Sequence, residues 1–291
     1  MRRRNRVQLW LAGLFSAVLL ACGRAEAGCI DLPFPDLQAL AALDLTNASQ
    51  AAAGARSMIA LARRDPTTTP LRLAALYAVA AQSNSILELD APARAAAVSG
   101  LNLAPPQDSA VGLSLMASYA ETVYDAAGMK HEVENLTRAA GRQPKGSQAE
   151  VCLLTTVGWL QHRLNQDDLA VVTLTTAYRD SGTPALSRQR ALTAEALSKV
   201  MDVMGDFNQA LDLTAETIDW EREHHAPQML NGTLYARGEV LLRDARLQRR
   251  AGRVRRGAPG GQGPGRLARG FVRGPSDLRS QDRHRQDFRG A

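Results

Sequence analysis

Small residues recur in this chain at a fixed step of 40, at Gly158, Ser198 and Gly238. Ala170 and Ala210 keep the same step of 40, as do Leu154 and Ala194, one helical turn before the first small position. A repeat of that length holds two helices and a corner. A hairpin that is apolar on one flank cannot stand alone, so such a pattern requires neighbours stacked in a row. The most explicit corner is Gly205-Asp206-Phe207-Asn208-Gln209-Ala210-Leu211. Gly205 can end a helix in a left-handed conformation, and Asp206 can cap the next through its carboxylate. Phe207 and Leu211, four apart, point back into the pair, and Ala210 is small enough for close approach.

The rest of the chain reads as helical segments broken by turn chemistry. Asp36 to Leu45 is a short amphipathic piece, and Asn47 caps a helix running to about Arg64. Asp65-Pro66-Thr67-Thr68-Thr69-Pro70 is a break, with Pro70 suited to a first helical turn. Leu71 to Ser83 follows. Ala91-Pro92 opens a helix that ends near Gly100, and Pro105-Pro106 stops it. Asp108 or Ser109 caps a helix closed by Gly128, and Glu132 to Ala140 returns. After the polar connector 141–147 come Gln148–Asn165, Asp168–Arg179, Ala185–Met204, Asp206–Glu223 and a last helix from Pro227 to about Arg243. Aromatics make up only 4% of the chain while Ala and Leu abound, which favours helices packed through small and aliphatic side chains.

Ser198, Gly205-Asp206-Phe207, Ala210 and Leu211 resemble the tetratricopeptide repeat, with a small residue in the first helix and a Gly-Asp-aromatic corner. Gly158, Ala170, Leu174 and Ala177 give a weaker copy with no Gly in its corner. The family period is about 34, so the longer step here implies longer helices or connectors and a different superhelix. A cleaved signal followed by such hairpins, with Asp219-Trp220-Glu221-Arg222-Glu223-His224-His225-Ala226-Pro227 and Gly238-Glu239-Val240-Leu241-Leu242, is similar to the exported sensor region of some bacterial diguanylate cyclases. The Gly-Gly-Asp/Glu-Glu-Phe motif of that family is absent, so the resemblance implies an orphaned sensing module and transfers no catalytic residue. The fold expected is all-α: stacked antiparallel hairpins, about five of them, in a tetratricopeptide-like solenoid with a disordered C-terminal tail.

Both ends differ from the body. Residues 1–27 carry five Arg against one Glu, a charge of +4. Arg2, Arg3, Arg4 and Arg6 precede the apolar run Val7 to Ala21, and Ala25-Glu26-Ala27 offers a cleavage site, which together read as an export signal. Leu19-Leu20-Ala21-Cys22 also resembles a lipobox, which would anchor the chain by lipid at Cys22. The apolar run has 15 residues and falls short of the span of about 20 that a membrane helix needs. The expected location is the periplasm or the exterior, with no transmembrane helix in the mature chain. Cys29 and Cys152 survive cleavage in a compartment that permits disulfides. Cys152 lies on the patterned face of a helix, where a lone buried thiol is the commoner outcome, with a Cys29–Cys152 bridge as the alternative. Residues 246–291 carry thirteen Arg, three Asp and nine Gly, a charge of +10 with little apolar periodicity. Three readings stay open there: a disordered terminus, an Arg/Gly nucleic-acid arm, or high-GC DNA translated out of frame. With +6 for the whole chain, residues 28–245 carry −8, which disfavours nucleic acid or an anionic membrane as partner of the body. The expected division is therefore 1–27 signal, 28–140 degenerate hairpins, 148–245 tetratricopeptide-like repeats and 246–291 tail.

No residue set carries chemistry, and no enzyme, cofactor or metal site is expected. His224-His225 with Glu221 and Glu223 forms a cluster, but adjacent helical residues diverge by about 100° and cannot share a metal as i, i+4 ligands do. No phosphate loop or nucleophile context is present. What remains is the inner face of the superhelix. With Gly158, Ser198 and Gly238 at the close-contact position, that face carries Thr155, Trp159 and His162, then Glu195, Lys199 and Asp202, then Tyr235 and Glu239. Mixed charge with Trp and Tyr suits a groove for a protein or extended peptide.

Overall fold

Several helix starts in this chain are fixed by side chains that accept the first free amides. A computed structural model describes residues 30–257, and the fold below is that of those residues. Asn47 Oδ1 accepts from the Gln50 amide at 3.0 Å, and Thr69 Oγ1 from Arg72 at 3.2 Å. Ser109 Oγ accepts from Gly112 at 3.1 Å, Asp125 Oδ1 from Gly128 at 2.7 Å and Asp206 Oδ1 from Gln209 at 3.2 Å. The helices that result are α1 (Pro35–Ala62), α2 (Pro70–Ile86), α3 (Asp90–Leu101), α4 (Ala110–Glu121), α5 (Ala126–Ala140), α6 (Gln148–Arg163), α7 (Asp167–Asp180), α8 (Ser187–Met204), α9 (Phe207–Glu223) and α10 (Pro227–Gly257). A short 3₁₀ turn, Pro184–Leu186, leads into α8, and no strand occurs among the described residues.

Helix ends use the left-handed conformation repeatedly. Gly205 has φ 83°, as the corner required, and Glu88, Ala104, Asn165 and His225 have φ 57°, 49°, 57° and 51°. Asn165 stands 40 residues before Gly205 and takes its place in the weaker repeat copy. Asn tolerates that region better than most residues.

One expected boundary is corrected, at Gly128, and another, at Asn47, is borne out. Gly128 does not close α4; it lies in the first turn of α5, where Asp125 caps its amide. A Cβ there would meet Val123 Cγ1 at 2.7 Å, so the glycine serves close packing at the corner. Asp36–Leu45 and the helix after Asn47 meet inside α1, but Asn47 itself is non-helical, with φ −158° and ψ 75°. Over a straight helix, residues 40 and 54 would stand ~21 Å apart, yet a Cβ on Gly54 would lie 2.8 Å from Leu40 Cδ1. The chain therefore folds back at Asn47, and α1 is itself a hairpin.

With α1 so divided, the hairpins are the two arms of α1, then α2/α3, α4/α5, α6/α7 and α8/α9, with α10 beginning a further one. The even helices α2, α4, α6 and α8 contact one another in succession, and the odd helices pack outside them. The step of 40 extends further back than the sequence reading took it: Ala78 on α2 and Ser118 on α4 precede Gly158 and Ser198, and all four are buried. At Gly158 the reason is direct, since a Cβ would meet Leu174 Cγ of α7 at 2.5 Å.

Leu45, at the corner of α1, packs with Ala191 of α8, Trp220 of α9, and Ala226 and Met229 at the start of α10. The first hairpin thus touches the last ones, and the stack closes on itself. Of the described residues, 30–245 belong to one compact unit and 246–257, the end of α10, to a second. Residues 1–29, on which the expected export signal falls, and 258–291 of the tail lie outside the described residues. No described helix is long and apolar enough to cross a membrane.

Candidate functional site

Because the stack closes, its inner row of helices surrounds a cavity of about 260 Å³. Gln82, Ser85 and Ile86 reach it from α2, and Ser114, Ser118 and Glu121 from α4. Helix α6 contributes Cys152, Thr155, Thr156 and Trp159; α8 contributes Arg188, Leu192, Glu195 and Lys199; Met229 comes from α10. The lining combines one aromatic ring, aliphatic side chains, small hydroxyls and four charged groups.

Four of the eight expected groove residues meet here. Lys199 Nζ lies 5.1 Å from the centre of the Trp159 ring and 2.7 Å from Glu195 Oε1, one helical turn away. Thr155 Oγ1 is 2.7 Å from Thr193 Oγ1, a contact that ties α6 to α8. The other four lie elsewhere. His162 stands 5.4 Å from the Trp159 ring but turns its Nδ1 to Asp167 at 2.6 Å, in the α6–α7 corner. Asp202 is buried and paired with Arg243 of α10, which also approaches Glu239 at 3.9 Å. Tyr235 is 71% exposed. The expected groove thus divides into a central cavity and an ionic seam between α8 and α10.

Electrostatics around the cavity are unusual for so small a space. Glu121 is open to the cavity, but the protein mass around it disfavours its charge. Its pKa is pushed up to about 7, with only the Arg163 charge opposing. Glu221 of α9 is fully buried and accepts from Thr233 Oγ1 at 2.7 Å; its Oε2 has no hydrogen bond among the described residues. Burial raises its pKa to about 7, helped by the Glu195 charge and opposed by Thr233 and Lys199. Asp44, at the closing corner, is raised to about 7 by burial against the effects of the Ser83 hydroxyl at 2.5 Å and the Arg188 charge. Arg188 itself is 1% exposed.

The sequence reading missed Glu121, Arg188 and the hydroxyls of α4. A signal for α4 existed, since counting back 40 from Gly158 reaches Ser118 and would have placed α4 on the inner row. Nothing local marked Arg188, whose burial depends on closure. The cysteine expectation is corrected: Cys152 is buried as foreseen but disulfide-bonded, and the chain's other cysteines, Cys22 and Cys29, lie outside the described residues. The adjoining Ile30 is buried in the same core as Cys152, and the Asp31 amide donates to Gln148 Oε1 at 2.9 Å. The histidine pair belongs to a corner. His224 stacks on Trp220 with ring centres 4.2 Å apart, and His225 takes the left-handed turn. No cluster of three or more metal-ligating side chains occurs among the described residues.

No protein-family model matches the chain, and no curated protein matches it. Among solved structures it is similar to that titled "Crystal structure of BtubC (BKLC) from P. vanneervenii", with a TM-score of 0.47 and 16% identity over 78% of this chain and 98% of that one.

Proposed function

We propose that the chain is an exported, non-catalytic binding module that holds one side chain or one end of a protein or peptide ligand inside its ring of helices. The observation that carries this is the convergence of Trp159, Lys199, Glu195 and Glu121 from three consecutive inner helices on one cavity. The volume, about 260 Å³, sits at the small end of ligand sites. It suits a single side chain or small molecule, whereas the sequence suggested a long groove. An aromatic wall supplies contact area at low entropic cost, and the charged groups fix orientation. The test is titration of the purified chain with a peptide array spanning all side-chain types, read by Trp159 fluorescence and calorimetry. Binding that Trp159→Ala abolishes is expected; a flat array would remove the reading.

Export is part of the proposal. It is supported by the N-terminal Arg cluster with its apolar run and by the disulfide at Cys152, a bond that persists in oxidising compartments. Fractionating bacterial cells that express the full chain tests it; recovery in the cytoplasm would count against it. As an orphaned sensor, the module would once have passed its ligand signal to a diguanylate cyclase domain. The composition change after about residue 245 supports that descent, and reading the DNA one base over from there tests it.

A further inference from the structure

The four charged groups of the cavity are not equivalent. Lys199 and Glu195 are ion-paired at 2.7 Å, and Arg188 lies within the field of the Asp44 carboxyl. Glu121 differs, since its carboxyl makes no hydrogen bond or ion pair among the described residues. Arg163, its nearest opposite charge, donates to the Glu121 main-chain oxygen at 3.0 Å and rests over the Tyr124 ring at 4.4 Å. Beside it, Trp159 already carries an ammonium, that of Lys199, at 5.1 Å from its centre. The cavity therefore holds an aromatic face that accepts a cation and a carboxyl that, among the described residues, makes no ion pair.

We infer that the cavity selects a cationic group on a slim aliphatic stem, an ammonium or guanidinium, whose charge meets Glu121 while its stem packs against Trp159. The inference rests on the binding reading above and names its ligand chemistry. A primary amine or guanidinium suits both contacts: its N–H groups pair with a carboxylate, and its charge is attracted to a ring face. An anion would find Lys199 already paired with Glu195, and would lie against Glu121 and Glu195. The crowding that raises the Glu121 pKa disfavours its lone charge, and a fixed cation would offset that. Arg163 of α6 and Arg188, Glu195 and Lys199 of α8 are the other charges around it. Two sources share this chemistry, free diamines and the side chains of Lys or Arg in a peptide.

The test uses the full chain in calorimetry with putrescine, with the acetylated methylamides of lysine and arginine, and with the glutamate counterpart. The cationic probes are expected to bind and the glutamate probe to fail. Glu121→Gln should weaken the cations by about tenfold or more, without lowering the unliganded melting temperature, because that carboxyl holds nothing in the fold and its burial disfavours the charge. Lys199→Met, which vacates the ring and Glu195, should bind cations at least as tightly as the parent. Preference for glutamate, loss of binding in Lys199→Met, or indifference to Glu121→Gln would each overturn the inference. A peptide array that yields only neutral or acidic binders sinks this inference and leaves the peptide reading standing. Binding of putrescine with no peptide binder does the reverse. Silence from every probe removes both.

Discussion

Glu221 shows how a single residue can make stability depend on pH. Its folded pKa of about 7 lies above its ordinary 4.5. Between those values the folded molecule keeps a proton that the unfolded chain has released. The contribution is therefore full below about pH 4.5, falls as pH rises through the window and is gone above about 7. Asp44 acts in the same direction from a lower starting value. Glu221→Gln keeps an acceptor for Thr233 and removes the titration. The loss of stability between pH 5 and pH 8, measured by urea unfolding, should shrink by on the order of 1–3 kcal/mol; an unaltered slope would show that Glu221 is ionised in the fold. The repeated small position makes a second residue-scale prediction, with opposite signs at two of its members. Gly158→Ala puts a Cβ 2.5 Å from Leu174, which is fully buried, whereas Gly238→Ala meets nothing within 4 Å. The first should destabilise by about 1–3 kcal/mol despite better helix propensity, and the second should stabilise by up to ~1 kcal/mol. Denaturation midpoints of the two variants and the parent decide it, and equal effects would mean that helix propensity outweighs packing at both positions.

Between elements, the decisive features are corners. At Gly205 no atom would crowd a Cβ, but φ is 83°, so Gly205→Ala carries a purely conformational cost of about 1 kcal/mol. Gly205→Asn should recover part of it, as the native Asn165 does at the equivalent corner; a neutral Gly205→Ala in thermal unfolding would show that the corner relaxes out of the left-handed region. Corners were also the most legible part of the sequence. Asn47, Gly205, Asp206 and, as one of two candidates, Ser109 were identified from residue type, because a cap is completed by the backbone amide three residues on and a left-handed end by the glycine itself. The error at Gly128 has the same origin: glycine marks both helix ends and tight approaches, and only the neighbouring Val123 decides between them. Of the site, Thr155, Trp159, Glu195 and Lys199 were legible because one helical face and one repeat step place them together. Glu121 and Arg188 were not, because their surroundings come from helices far away in sequence.

At the largest scale, that of residues 30–245, one apolar cluster turns a row of hairpins into a ring. Leu45 is buried against Ala191, Trp220, Ala226 and Met229, across more than half of the chain. No periodicity announces a contact at that separation, which is why an open groove was the natural expectation for a stacked repeat. The same closure buries Asp44 and brings the Arg188 charge near it, so the rim of the ring is polar as well as apolar. In a linear stack each hairpin depends only on its neighbours, and loss of a contact at one end leaves the other end unaffected. Closure predicts otherwise. Leu45→Ala should cost about 2–5 kcal/mol if the ring unfolds as one cooperative unit. It should also raise hydrogen exchange at both α1 and the start of α10, and weaken whatever the cavity binds although Leu45 does not line it. A distant control, Leu136→Ala in the buried core between α4 and α6, should destabilise by a similar amount without selectively exposing α10. If exchange in Leu45→Ala rises only in α1, the ends are energetically independent, the molecule is a solenoid whose ends merely touch, and the cavity is better described as an open face.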